Sequence, residues 1–243
     1  KSIDSPEEVR KAAAERVKSI IKSGQDGDII VFVEGGKEIE KAIYEINKII
    51  RDNNLHQYGE ILPPMGLESK SDDDEKARAT EKRKDKKRRI IVSTNFAETG
   101  VTIQGLKHVI DTGLRKEVAF DPQTGSQNLE TVKASHDECM QRRGRVGRIE
   151  PGWWYPLYTR DDFTFEEGES ECQSTEMTGK KRPVHIMPEI ERVDLTDIML
   201  LLKQSGKDIR KFNLLAEPDA KNLSVFENNL VKLNALKKVG EST

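Results

Sequence analysis

Residues 27–50 read GDIIVFVEGGKEIEKAIYEINKII, and this stretch decides the fold class. Ile29-Ile30-Val31-Phe32-Val33 is an unbroken apolar run, rich in β-branched side chains and too short for a helix, which predicts a strand buried on both faces. Gly35-Gly36 interrupts the run, and a helix is predicted over 38–50. Further runs of the same kind lie at 90–94 and 109–111. Upstream, Val9, Ala13, Val17, Ile20 and Ile21 recur at helical spacing after Pro6, with Ser5 placed to cap that helix. Buried strands separated by helices imply a parallel α/β sheet flanked by helices.

The 243 residues suffice for one sizeable domain and a small one. A formal net charge of -2 gives no global attraction to nucleic acid, so any such affinity has to come from local patches. The two cysteines, Cys139 and Cys172, form no CxxC pair and have no histidine at zinc spacing. No metal site is therefore expected, and a reducing intracellular compartment fits. No apolar run reaches the roughly 18 residues that span a bilayer, so a soluble protein is expected. Opening on Lys1, the chain is expected to be part of a longer polypeptide.

Charge is concentrated between the first two predicted strands. Glu68, Asp72, Asp73, Asp74 and Glu75 precede Lys82, Arg83, Lys84, Lys86, Lys87, Arg88 and Arg89, which read either as a basic patch for phosphates or as a solvated or disordered loop. The polar stretch 164–181 reads as a loop or linker, and 187–239 as a small, mostly helical domain.

The chemistry concentrates in 135–148. Ser135 and Glu138 match a capping box, so a helix starts there. If that helix continues, Gln141, Arg145 and Arg148 share one face at i, i+4 and i+7, while Arg142 and Arg143 point elsewhere. Two guanidiniums and an amide on one face suit a phosphate whose negative charge grows during transfer, or equally a surface ion-pair face. Gly144 and Gly147 would each cost such a helix about 1 kcal/mol, which suggests either close approach to a ligand or a frayed helix end.

QRRGRVGR at 141–148 resembles motif VI of superfamily 2 helicases. STNFAETGVTI at 93–103, with IDTG at 110–113, resembles motif V of the DEAH/RHA group, and GDIIVFVEGGKEIE at 27–40 resembles motif IV. PGWWYPLYTRDDF at 151–163 is similar to the stretch after motif VI, and MPEIERVDLTDIMLLLKQSG at 187–206 to the entry of a winged-helix domain. These segments cover nearly the whole chain in the family's order.

The resemblance implies a second RecA-like domain over 1–186 followed by a winged-helix domain over 187–243. It implies the C-terminal motor half of an ATP-dependent RNA helicase, with ATP and Mg²⁺ held mainly by a first RecA-like domain, since this chain has no GxxxxGK[ST] loop and no DEAH tetrapeptide. A non-catalytic RNA-binding scaffold and a DNA-directed motor of the same superfamily are the alternatives. Carried onto matching positions, Gln141 contacts the γ-phosphate or attacking water, and Arg145 and Arg148 are arginine fingers. Thr102 and Gln104 fall on the nucleotide side, although family members often have Asp where Gln104 stands; Thr94 and Asn95 lie near the RNA backbone. Glu34 replaces a small hydroxyl residue of motif IV, so RNA contact is not assigned to it, and Glu98 is left to a structural ion pair. The arms of 115–133 around Asp121-Pro122-Gln123-Thr124-Gly125 resemble the family's β-hairpin. Trp153 and Trp154 read as core strand residues. The partners implied are RNA, the first RecA-like domain of the same polypeptide and a protein activator.

Overall fold

The apolar run after Gly27 forms β1 (Asp28–Phe32), and every one of its residues is buried. The computed structural model describes residues 5–82, 85, 87–147, 150–159, 162 and 182–237. In chain order these form α1 (Pro6–Lys22), β1, α2 (Gly36–Asp52), β2 (Met65–Leu67), α3 (Asp73–Thr80), β3 (Ile90–Ser93), α4 (Phe96–Thr99) and β4 (Leu106–Asp111). The hairpin β5 (Leu114–Asp121) and β6 (Ser126–Lys133), α5 (His136–Arg143), β7 (Trp153–Pro156), α6 (Glu189–Arg192), α7 (Thr196–Gln204) and α8 (Ala220–Lys232) follow.

β1 lies at the centre of a five-stranded parallel sheet of order β2-β3-β1-β4-β7, with Ile30 in register between Ile91 and Val109. Alternate side chains of β1 enter opposite cores. Ile29, Val31 and Val33 pack with Ala13, Val17 and Ile46 of α1 and α2, whereas Ile30 and Phe32 pack with Ala97, Ile103 and Val109. A parallel strand covered on both faces has no polar side to show, which is why its sequence does not alternate. As expected, Ser5 caps α1, accepting from the Glu8 amide.

The acidic part of the charged segment is neither of the two things expected of it. It folds as α3, whose capping box joins Asp72 and Glu75, because carboxylates in a first turn satisfy orphan amides and face the positive end of the helix dipole. Of the basic run, Arg83, Lys84 and Lys86 lie outside the described residues, while Arg89 is buried against Asp28 at 2.7 Å. Trp153 and Trp154 do form a strand, but as the sheet's edge, with Trp153 exposed and Trp154 half-buried. The predicted linker 164–181 lies outside the described residues.

The chain divides into two units. The first runs to Lys116 and resumes over Thr131–Ile186; the second takes Glu117–Glu130 and the chain from Met187 onward. The hairpin expected inside the first domain thus gives its outer part to the second unit. Phe120 is the reason: it meets Phe226 edge-on, with ring centroids 4.6 Å apart, in a core that includes Leu195, Met199, Leu223 and Leu230.

Candidate functional site

Ser135 starts α5 as expected, its Oγ accepting from the Glu138 amide at 3.2 Å while Glu138 Oε2 accepts from the Ser135 amide at 2.7 Å. The helix then stops at Arg143, with Gly144 as its C-cap and Gly147 in the left-handed region at φ +78°. The shared face predicted for Gln141, Arg145 and Arg148 therefore does not exist as one helical face. Gly144 ends the helix as its C-cap, in keeping with its low helix propensity, and Gly147 turns the chain at positive φ beyond that end. Gln141 is exposed on the last turn. Arg145 lies in the turn beyond, half-buried, and its Nη1 donates to the Val101 carbonyl at 3.1 Å. Arg148 lies outside the described residues.

Thr94 and Asn95 stand where the carboxyl end of β3 turns into α4. Thr94 is half-buried; Asn95 is exposed and occupies the N-cap without a side-chain bond to the helix. Thr102 and Gln104, both exposed, lie at the other end of this segment, where the chain enters the amino end of β4. With Arg145 they line one open cleft of about 970 Å³, at the upper end of the roughly 300–1,000 Å³ of small-molecule sites. The fold thus brings Thr102, Gln104 and Arg145 together at the amino ends of the strands. Thr94 and Asn95 are left at the carboxyl ends.

The cleft is fixed by buried charge. Arg89 donates its backbone amide and Nε to the Asp28 carboxylate at 2.8 and 2.7 Å, and its Nη2 to the Gln104 carbonyl at 2.6 Å. Its Nη1 reaches the carbonyls of Arg78, Ala79 and Glu81 at the end of α3. Lys107, on the cleft wall, is shared between Asp26 and Glu150 at 2.9 Å each.

Sequence reasoning missed Arg142, which is 0% exposed. Its Nε meets Glu98 Oε1 at 2.7 Å, and its Nη1 meets Asp111 Oδ1 at 2.8 Å and the Leu114 carbonyl at 3.2 Å, with the guanidinium over the Phe32 ring. Burial acts against its charge, but the Asp111 and Glu98 carboxylates more than offset that and hold it protonated. Burial pushes the Glu98 carboxyl up, opposed by Arg142. The ion pair left to Glu98 by the sequence is this one. A faint signal for Arg142 existed: it is three residues after Cys139, and both lie on the buried face of α5.

Asp111 also accepts from the Tyr158 hydroxyl at 2.8 Å. Arg182 stacks on the Tyr158 ring and donates Nη1 to the carbonyls of Gly113 and Ala134 at 2.7 and 2.6 Å, tying together the two roots of the hairpin. In the motif IV position, Glu34 is 5% exposed, and burial pushes its carboxyl up. Among the described residues no group of three or more His, Cys, Asp or Glu is arranged to hold a metal, and no helix is long and apolar enough to cross a membrane.

The helicase conserved C-terminal domain family model matches residues 12–150. The chain is 32% identical over 230 residues to the ATP-dependent RNA helicase HrpA of Borreliella burgdorferi, across 94% of this chain and 25% of that protein. It is 33% identical over 229 residues to the pre-mRNA-splicing factor ATP-dependent RNA helicase prp22 of Schizosaccharomyces pombe, across 93% of this chain and 18% of that protein. The solved structure of the E. coli DExH-box NTPase HrpB superposes with a TM-score of 0.76 at 26% identity, covering 96% of this chain and 25% of that one. A second structure, of the Escherichia coli DEAH/RHA helicase HrpB, gives 0.76 at 25% identity, covering 96% and 26%. The chain spans about a quarter or less of the length of these relatives.

Proposed function

Because the chain belongs to the helicase conserved C-terminal domain family, as the C-terminal part of a DEAH/RHA-type superfamily 2 helicase, we propose that it is the second motor half of an ATP-driven RNA helicase. The observation that carries this reading is the separation of its candidate residues onto two ends of one sheet. Arg145, Thr102 and Gln104 share the cleft at the amino ends of the strands, while Thr94 and Asn95 stand at the carboxyl ends, joined by the short segment that contains α4. In the proposed reading one surface serves a nucleotide and the other the backbone of an RNA strand.

In this reading a first RecA-like domain of the same polypeptide grips the triphosphate and its Mg²⁺, and this chain closes over it. Arg145 and Arg148 supply planar, permanently charged donors to the oxygens that gain charge as the terminal phosphoryl transfers, and Gln141 orients the attacking water or the γ-phosphate. Arg145 is already tethered by its bond to Val101, so little reorganisation is needed at the moment of reaction. The helical core of the second unit supports a winged-helix region from 187 onward.

The test is Arg148→Ala, with Arg145→Ala beside it, in the complete polypeptide. RNA-stimulated ATP hydrolysis is expected to fall by roughly 10³-fold or more with ATP affinity nearly unchanged, since fingers stabilise the transition state and not the bound ground state. Turnover that survives both substitutions removes the finger assignment. Equal stimulation by single-stranded DNA and RNA in the unsubstituted protein would favour a DNA-directed motor instead.

A further inference from the structure

Residues 94–104 carry the candidate RNA contacts at one end and the candidate nucleotide contacts at the other, and Glu98 stands between them. Its carboxylate is 5% exposed and is held by Arg142 Nε at 2.7 Å. Arg142 follows Gln141 directly and precedes Arg145 by three residues. The same guanidinium is fixed to Asp111 Oδ1 and the Leu114 carbonyl, at the carboxyl end of β4 and the start of the hairpin. A second tie runs beside the first, from Arg145 Nη1 to the Val101 carbonyl. The α4 segment and the end of α5 are therefore joined twice, once through a buried charge pair and once through Arg145 itself.

Burial makes the first tie stiff. A guanidinium is planar, and its donors are set in a fixed fork, so acceptors on Glu98, Asp111 and Leu114 define one orientation. With no solvent to replace a lost partner, a displacement of Glu98 leaves buried charge unpaired unless Arg142 moves too. A buried pair of this kind is a weak source of net stability, yet losing one partner is costly because it strands the other charge.

We propose that Arg142 is a positioning residue that couples RNA at Thr94 and Asn95 to the placement of Arg145 and the Thr102–Gln104 edge of the cleft. This rests on the functional reading above. RNA settling on the carboxyl end of β3 fixes α4, α4 fixes Glu98, and Glu98 through Arg142 fixes the turn that carries the arginines. Arg142 touches neither ligand in this scheme.

Glu98→Gln tests the coupling in the complete polypeptide, because glutamine keeps the shape and one acceptor oxygen while removing the charge. The ratio of RNA-saturated to RNA-free ATP turnover is expected to fall by about tenfold, and the RNA concentration giving half-maximal stimulation to change by less than about threefold. A merely structural role would lower thermal stability without changing that ratio, so a ratio within about twofold of the unsubstituted protein overturns the proposal. Should Glu98→Gln not fold, amide exchange of the unsubstituted protein decides. Single-stranded RNA added without nucleotide should slow exchange over 96–103 and 139–146 together, and protection that leaves 139–146 unchanged overturns the coupling. An unsubstituted protein that shows no RNA-stimulated turnover at all refutes the functional reading itself, a result distinct from retained stimulation in Glu98→Gln.

Discussion

Glu34 is a carboxylate held where one is costly. Its Oε1 accepts from Arg10 Nη1 at 3.2 Å, but its Oε2 is buried with no hydrogen-bond partner among the described residues. Burial raises its pKa above the ordinary 4.5, with a backbone hydrogen bond and Arg10 pulling the other way. A carboxyl whose folded pKa is raised contributes stability in its protonated form, fully present below the unfolded value and lost as pH rises through the folded one. Glu34→Gln is therefore expected to raise the thermal midpoint at neutral pH, with the gain shrinking as pH falls toward 4.5. A lower midpoint at neutral pH would show that the Arg10 pair outweighs burial. Arg142 and Arg145 make the complementary point: identical side chains three residues apart, one sealed against two carboxylates and one lining a cleft. Only the helical spacing of Arg142 from buried Cys139 separates them in the local sequence.

At the scale of elements, α5 shows what eight residues can and cannot declare. Its start is written in Ser135 and Glu138, a reciprocal pair that acts within four residues and needs no tertiary support. Ser135→Ala removes the acceptor for a buried amide and is expected to cost about 1 kcal/mol, up to roughly 2 kcal/mol. Urea unfolding followed through Trp153 and Trp154, which lie in the same unit, measures it, and an unmoved midpoint would refute it. The end of α5 was harder to read. Helical spacing carries the pattern through Arg148, whereas α5 stops at Arg143 with Gly144 as its C-cap, and Gly147 at positive φ lies beyond. α3 gives the reverse case: a run of acids that reads as loop by composition is a helix because Asp72 and Glu75 cap each other at 2.7 and 3.2 Å.

At the scale of the molecule, the proposed reading gives this chain the arginine side of a nucleotide site, and its sequence holds no GxxxxGK[ST] loop to grip a phosphate chain. The purified chain alone is therefore expected to hydrolyse ATP no faster than background, and robust turnover by it would overturn the assignment to a second motor half. The sequence by itself determined the buried strands β1, β3 and β4, the starts of α1 and α5, the hairpin turn and the order of the motifs, because hydrophobic runs, caps and turn residues act over a few positions. Only the tertiary structure decided that β1 sits between β3 and β4 and that Phe120 leaves its own domain's span for the C-terminal core. It alone also decided that Arg142, not one of the expected arginines, is the buried tie between motifs. Its partners Glu98 and Asp111 lie 44 and 31 residues away. Pairings over such separations are set by which strands become neighbours, and no local periodicity records that choice.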